Sequence, residues 1–230
     1  MIIRGFQKLT LLDYPGKTAC TVFTGGCNMR CVYCHNSGLV LSAGDYPVIP
    51  EEEVLSFLLK RKNLIDGVCI TGGEPMLQKD LPDFAGKIKE MGFAVKVDTN
   101  GSFPRQLRYM IRNSLVDYVA MDIKNCESRY LETINRPGFD IEPVKESIGI
   151  LKNSGIDYEF RTTVCKNLHT EKDLIEILGM IGTDCKYFIQ AFRSSDEVME
   201  KNVEGYTPDE LRNLQKKLCG INPNTKLRGI

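Results

Sequence analysis

The sequence predicts an α/β fold of parallel strands with outer helices, and three observations predict it. Six short apolar runs rich in Val, Ile, Phe and Tyr have the length of buried strands. An amphipathic helical pattern follows each run. The polar, glycine-bearing motifs fall just after the runs, where parallel sheets carry their chemistry. At about 30 residues per unit, six units make about three quarters of an eight-unit barrel. Right-handed crossovers equally allow an open doubly wound sheet.

The strands are expected at residues 19–23, 67–70, 94–98, 118–123, 158–164 and 187–191, and the helices at 51–62, 81–91, 105–113, 144–153, 171–180 and 208–218. Pro50 followed by Glu51, Glu52 and Glu53 suits a helix N-terminus and its dipole, as does Thr207-Pro208-Asp209-Glu210. Gly92 and Gly155 stand where C-terminal caps belong. Residues 1–17 precede the first unit as an extension that forms a strand or a flap. Without a linker or low-complexity tract, residues 1–230 read as one domain.

Lys plus Arg and Asp plus Glu number 30 each, so the balance gives no reason to expect nucleic acid or an anionic membrane as partner. No apolar run approaches the roughly 20 residues that span a bilayer. The N-terminus lacks a signal-peptide pattern, and a cytoplasmic protein is expected.

Three of the nine cysteines lie within eight residues. They sit in the loop spanning residues 24–36, Thr24-Gly25-Gly26-Cys27-Asn28-Met29-Arg30-Cys31-Val32-Tyr33-Cys34-His35-Asn36, spaced Cys-x3-Cys-x2-Cys. Three thiolates from one short loop can each hold a corner of an iron–sulfur cubane and leave one iron open to a ligand. The alternative is a zinc site completed by His35, although structural zinc sites usually draw ligands from two separated knuckles.

The later motifs stand at strand ends. Thr71-Gly72-Gly73-Glu74-Pro75 sets two glycines and a carboxylate after the second strand; glycine permits close backbone approach to a ligand, and the carboxylate can bind an ammonium group. Asp98-Thr99-Asn100-Gly101 ends the third strand, either as a site or as an ordinary Asx turn. Met121-Asp122-Ile123-Lys124 ends the fourth. Arg161, inside the apolar fifth strand, needs an internal acidic partner or a bound carboxylate. Cys20 and Cys69 are expected in the core, Cys126 near the mouth, and His169 on a surface loop.

The cysteine loop, with Tyr33 before its third cysteine, resembles the radical S-adenosylmethionine superfamily. Its Cys34-His35-Asn36 continuation resembles the branch that activates glycyl-radical enzymes. The resemblance covers most of the chain and implies a partial (β/α)6 TIM-like barrel. It implies a [4Fe-4S] cluster on Cys27, Cys31 and Cys34 whose open iron chelates S-adenosylmethionine, with reductive cleavage to methionine and a 5′-deoxyadenosyl radical. Cofactor contacts are implied at Tyr33, Gly72, Gly73, Glu74 (for the methionyl amine), Pro75, Asp98, Thr99, Asn100, Lys124, Arg161 (for the carboxylate) and Gln190. At Gln190, relatives acting on pyruvate formate-lyase carry histidine. Asp98, Thr99, Met121 and Asp122 match a site for a monovalent cation, Na+ or K+. Leu12-Asp13-Tyr14-Pro15-Gly16 resembles an Asp-x-Pro-Gly turn placed at the substrate entrance, a plain turn being the alternative.

In that branch the substrate is a backbone glycine of a partner enzyme, whose α-radical is delocalised into two flanking amides. The chain ends soon after its sixth unit, which is expected to leave the mouth open to a protein loop. The partner implied is a glycyl-radical enzyme, nearest to anaerobic ribonucleoside-triphosphate reductase, with flavodoxin or ferredoxin as low-potential electron donor. A small-molecule or peptide-modifying radical enzyme is the alternative.

Overall fold

The computed structural model describes residues 1–230. All eight strands lie in one sheet in sequence order: β1 (Ile3–Thr10), β2 (Ala19–Thr24), β3 (Gly67–Gly72), β4 (Ala94–Thr99), β5 (Tyr118–Asp122), β6 (Asp157–Val164), β7 (Tyr187–Ala191) and β8 (Thr225–Arg228). Strands β2 to β8 are parallel, and β1 runs antiparallel to β2. The six expected strands are β2 to β7. The N-terminal extension forms a strand, and β8 is an addition. Strand β8 pairs only with β7 and β1 only with β2, so the partial barrel stays open between them.

Six helices cover the outside: α2 (Glu51–Lys60), α3 (Leu81–Glu90), α4 (Pro104–Arg112), α6 (Glu142–Lys152), α7 (Glu171–Ile181) and α8 (Pro208–Cys219). Two short ones, α1 (Ser37–Leu41) and α5 (Tyr130–Ile134), follow the cysteine loop and β5. The N-termini of α7 and α8 close as capping boxes, Thr170 with Asp173 and Thr207 with Glu210. Gly92 and Gly155 take φ of 89° and 75° behind α3 and α6, a conformation side chains resist. No helix is long and apolar enough to cross a membrane.

Strand alternation sorts the side chains into two populations. Val95, Val97, Val119, Met121 and Phe160 join the apolar core shared with the helices. Their neighbours Lys96, Asp98, Asp122, Glu159 and Arg161 lie on the opposite, inner face, which is therefore polar. Tyr14, Ala19, Tyr118 and Ala120 form a separate apolar cluster that seals the amino-terminal end of the strands. Tyr14 belongs to the Leu12–Gly16 turn, which thus closes the end away from the cysteines. Asp13 of the same turn accepts a 2.6 Å hydrogen bond from Thr21 Oγ1. The resemblance puts this turn at a substrate entrance, with a plain turn as the alternative; the structure sets it at the amino-terminal end of the strands, where Tyr14 packs against Tyr118.

Candidate active site

The cysteine loop leaves the carboxyl end of β2 and folds over the strand ends. Gly26 adopts φ of 86° to make the turn. Gly25 N–H donates to the Ile2 carbonyl (3.2 Å), and Gly26 N–H to the Leu39 carbonyl (2.8 Å). The Gly72-Gly73 pair completes the packing. A β-carbon at Gly73 would overlap the Gly26 carbonyl oxygen, and one at Gly72, whose φ is 113°, would meet the Thr24 backbone. These glycines were expected to permit close approach to a ligand; they line the cleft and also let the chain's own cysteine loop approach. Gly73→Ala is expected to cost about 3 kcal/mol, since a backbone carbonyl cannot swing aside, and to reduce the iron held per chain. Thermal melts and iron analysis check both.

Beneath the loop is a cleft of about 290 Å³. Its walls include Cys27, Cys31, Tyr33, Cys34, Gly72, Gly73, Glu74, Asp98, Thr99, Asn100, Asp122, Lys124, Arg161 and Gln190. The fold thus brings together nearly every residue singled out in the sequence, from six strand ends. Pro75 is buried as the first residue of a short helical turn and does not reach the cleft. Met121 faces Thr99 in register, but its side chain packs in the outer core against Gly101. Met29, His35, Asn36, Val40, Thr71 and Thr163 complete the wall. Thr71 and Thr163 were legible by alternation, each two residues from a chosen position or directly before one.

The three thiols are free, and burial pushes Cys27 up to about 11, Cys31 to about 12, and Cys34 upward. Met29 N–H points at Cys27 Sγ (3.4 Å) and Asn100 Nδ2 approaches it at 3.9 Å, donors that suit a sulfur carrying negative charge. Lys124 is the one cation whose field opposes the rise at all three thiols. His35, the fourth ligand of a zinc alternative, packs its ring against Phe192 with centroids 5.3 Å apart and planes tilted by 31°.

Behind the thiols runs a line of buried charges. Lys96 pairs with Asp98; Arg161 bridges Asp98 (Nη1, 3.2 Å) and Asp122 (Nε, 2.8 Å); Lys124 Nζ donates to Asp122 at 3.1 Å. Burial alone would raise both carboxyls, but Arg161 first, then Lys96 at Asp98 and Lys124 at Asp122, hold them below the usual carboxylate range. Arg161 therefore has internal acidic partners. The carboxylates matched to a monovalent cation spend their oxygens on protein cations, which an added ion would have to displace.

Glu74, 1 % exposed, ties two loops together: Oε1 accepts from Thr99 Oγ1 (2.7 Å) and Met76 N–H (3.0 Å), and Oε2 from Asn100 N–H (2.7 Å). Burial raises it to about 7 against those three donors. Asn100 makes the Asx turn, accepting from Ser102 N–H (3.0 Å), and its amide donates to Asn28 of the cysteine loop (2.9 Å). Gln190 Nε2 lies 3.4 Å from Thr163 Oγ1.

Lys96, Arg161 and Lys124 thus face the carboxylates of Asp98 and Asp122, and Lys124 lines the cleft together with the three thiols and Glu74. That arrangement fits an anionic iron–sulfur cluster together with a carboxylate-bearing ligand. The model of the Radical SAM superfamily matches residues 21–181. The chain belongs to the radical SAM superfamily. Its cofactors are accordingly a [4Fe-4S] cluster and S-adenosylmethionine. A glycyl-radical-enzyme activating enzyme of Methanocaldococcus jannaschii is 35% identical over 100% of this chain and 96% of its own length. The pyruvate formate-lyase-activating enzyme of Clostridium pasteurianum is 29% identical over 95% of this chain and 90% of its own. These relatives set the radical SAM chain in the activating branch. Among solved structures, Streptococcus suis SuiB bound to S-adenosylmethionine shares the fold, with a TM-score of 0.69 and 17% identity over 89% of this chain and 48% of SuiB.

Two expectations change within this radical SAM fold. His169 is fully buried rather than on the surface. Cys126, expected near the mouth, is buried too, its Sγ 3.5 Å from Asp173 and 3.4 Å from Ser128, and it does not line the cleft. Cys126 lies against Asp173 of α7, and the His169 ring is enclosed between the backbones of Lys124 and Cys165.

Proposed function

We propose that this radical SAM enzyme abstracts a hydrogen atom from a backbone glycine of a partner enzyme, leaving a glycyl radical, and that the partner is an anaerobic ribonucleoside-triphosphate reductase. Cys27, Cys31 and Cys34 would hold the cluster. Tyr33, Gly72, Gly73, Glu74, Asp98, Thr99, Asn100, Lys124, Arg161 and Gln190 would surround S-adenosylmethionine. Once bound and reduced by one electron, from flavodoxin or ferredoxin in this reading, these groups supply a carbon radical able to take a hydrogen atom. The protein's part is to exclude water, place charge and admit the glycine. Lys124 and Arg161 offer the positive charge for a methionyl carboxylate.

The observation that carries the proposal is the end-to-end likeness to the Methanocaldococcus jannaschii enzyme. The gap left between β1 and β8 supports it, because an open barrel wall can admit a protein loop. The test is electron paramagnetic resonance. The reduced, cluster-loaded enzyme is mixed with S-adenosylmethionine and then with the reductase. A doublet from a partner glycine is expected. Cofactor cleavage that yields no protein radical and instead consumes a small molecule would overturn the proposal.

A further inference from the structure

The geometry points to His169 as a positioning residue that fixes Lys124, and through it the charge felt by the cluster thiolates and by S-adenosylmethionine. His169 lies in the loop after β6 and is fully buried. Its Nδ1 accepts from the Cys165 N–H at 3.1 Å. That bond leaves the ring proton on Nε2, which donates to the Lys124 carbonyl at 2.8 Å. The imidazole is therefore a neutral, rigid bridge between two backbones. Its own carbonyl is held by Tyr206 Oη at 2.6 Å, and its ring packs 6.1 Å from Tyr33 of the cysteine loop. A second bond beside it repeats the connection: Asn125 Nδ2 donates to the Leu168 carbonyl at 2.8 Å. The loop after β5 is thus fastened to the loop after β6 at two successive residues.

The fastening matters because of what Lys124 does. Its side chain is 15% exposed, and the pairing with Asp122 keeps it charged although burial opposes that. It lines the cleft with all three cysteines. Removing or displacing a nearby positive charge disfavours the reduced, more negative form of a cluster, so its potential falls. A buried hydrogen-bonded histidine that orients a site residue without touching the reacting atoms acts at one remove.

The experiment uses cluster-loaded protein without any partner enzyme, so its outcome is separate from the glycyl-radical proposal. The cluster's midpoint potential and its S-adenosylmethionine dissociation constant are measured for His169→Leu, His169→Gln, Lys124→Met and the Leu/Met double variant. His169→Leu is expected to make the potential more negative and to raise the dissociation constant about tenfold. Lys124→Met shifts both in the same direction, and the double variant goes no further than Lys124→Met alone. Glutamine, which can also accept at one end and donate at the other, restores both values. A lowered melting temperature with unchanged potential and affinity would assign His169 a purely structural role and overturn the inference, as would additive shifts in the double variant. Should His169→Leu prove insoluble, Tyr206→Phe carries the test: a smaller shift in the same direction supports the inference, and unchanged values overturn it.

Discussion

Alanine at any one of Cys27, Cys31 or Cys34 is expected to abolish cleavage of S-adenosylmethionine and to leave the chain with little iron after anaerobic reconstitution. A cubane held at three corners loses a third of its protein ligation with each substitution, and no neighbouring thiol is placed to replace it. The apo fold should survive. Cys27 and Cys34 only border the core, and the loop is held by backbone bonds from Gly25 and Gly26 and by the Asn28–Asn100 contact. Cys185→Ser supplies the contrast. Its thiol points at the Gly182 carbonyl, 3.4 Å away at the opposite end of the sheet from the cleft, and its loss should leave iron content unchanged. Iron and sulfide analysis of the four variants checks the ligand set. Full iron with one of the three cysteines missing would refute it.

The second large effect is expected at Arg161. Arg161→Met leaves Asp98 and Asp122 facing each other without their shared guanidinium. Breaking a buried ion pair from one side costs about 3–5 kcal/mol. The lower end applies here, because the Asp122 side chain is 29% exposed and Lys96 and Lys124 remain. Arg161→Lys should recover only part of the loss, since a single ammonium cannot bridge two carboxylates as a planar fork does. The pH dependence has a definite sign. In the native chain both carboxyls titrate below their ordinary 3.8, so their stabilisation is present above that value and is lost as the pH falls through the depressed values. The two unfolding free energies should therefore differ most near neutrality and converge in acid. Urea unfolding from pH 7 down to about pH 2 measures this, and a difference unchanged through the range below 3.8 would mean that the ion pairs contribute little.

Much of this was legible in the sequence, and the residues show why. A strand buried on both faces announces itself by composition, which is how β2 to β7 were located to within a residue or two. The Cys-x3-Cys-x2-Cys spacing is local, so the proposed ligands could be named without tertiary information. Strand β8 was missed because Thr-Lys-Leu-Arg has no apolar run; it is a strand only because β7 offers an edge to pair with. Lys96 was missed although Val95-Lys96-Val97-Asp98 alternates cleanly. Alternation assigns a residue to a face but does not say that the inner face of this sheet is polar.

What the sequence determined by itself, then, was the set of chemical groups and their place at the ends of strands, because both follow from neighbours in the chain. Only the tertiary structure decided their partners. Arg161 meets Asp98 across 63 positions, Gly73 makes room for Gly26, and His169 reaches Lys124 across 45. Such contacts depend on how strands register and how loops stack above them. That arrangement is set by packing over the whole sheet, which no stretch of neighbouring residues encodes.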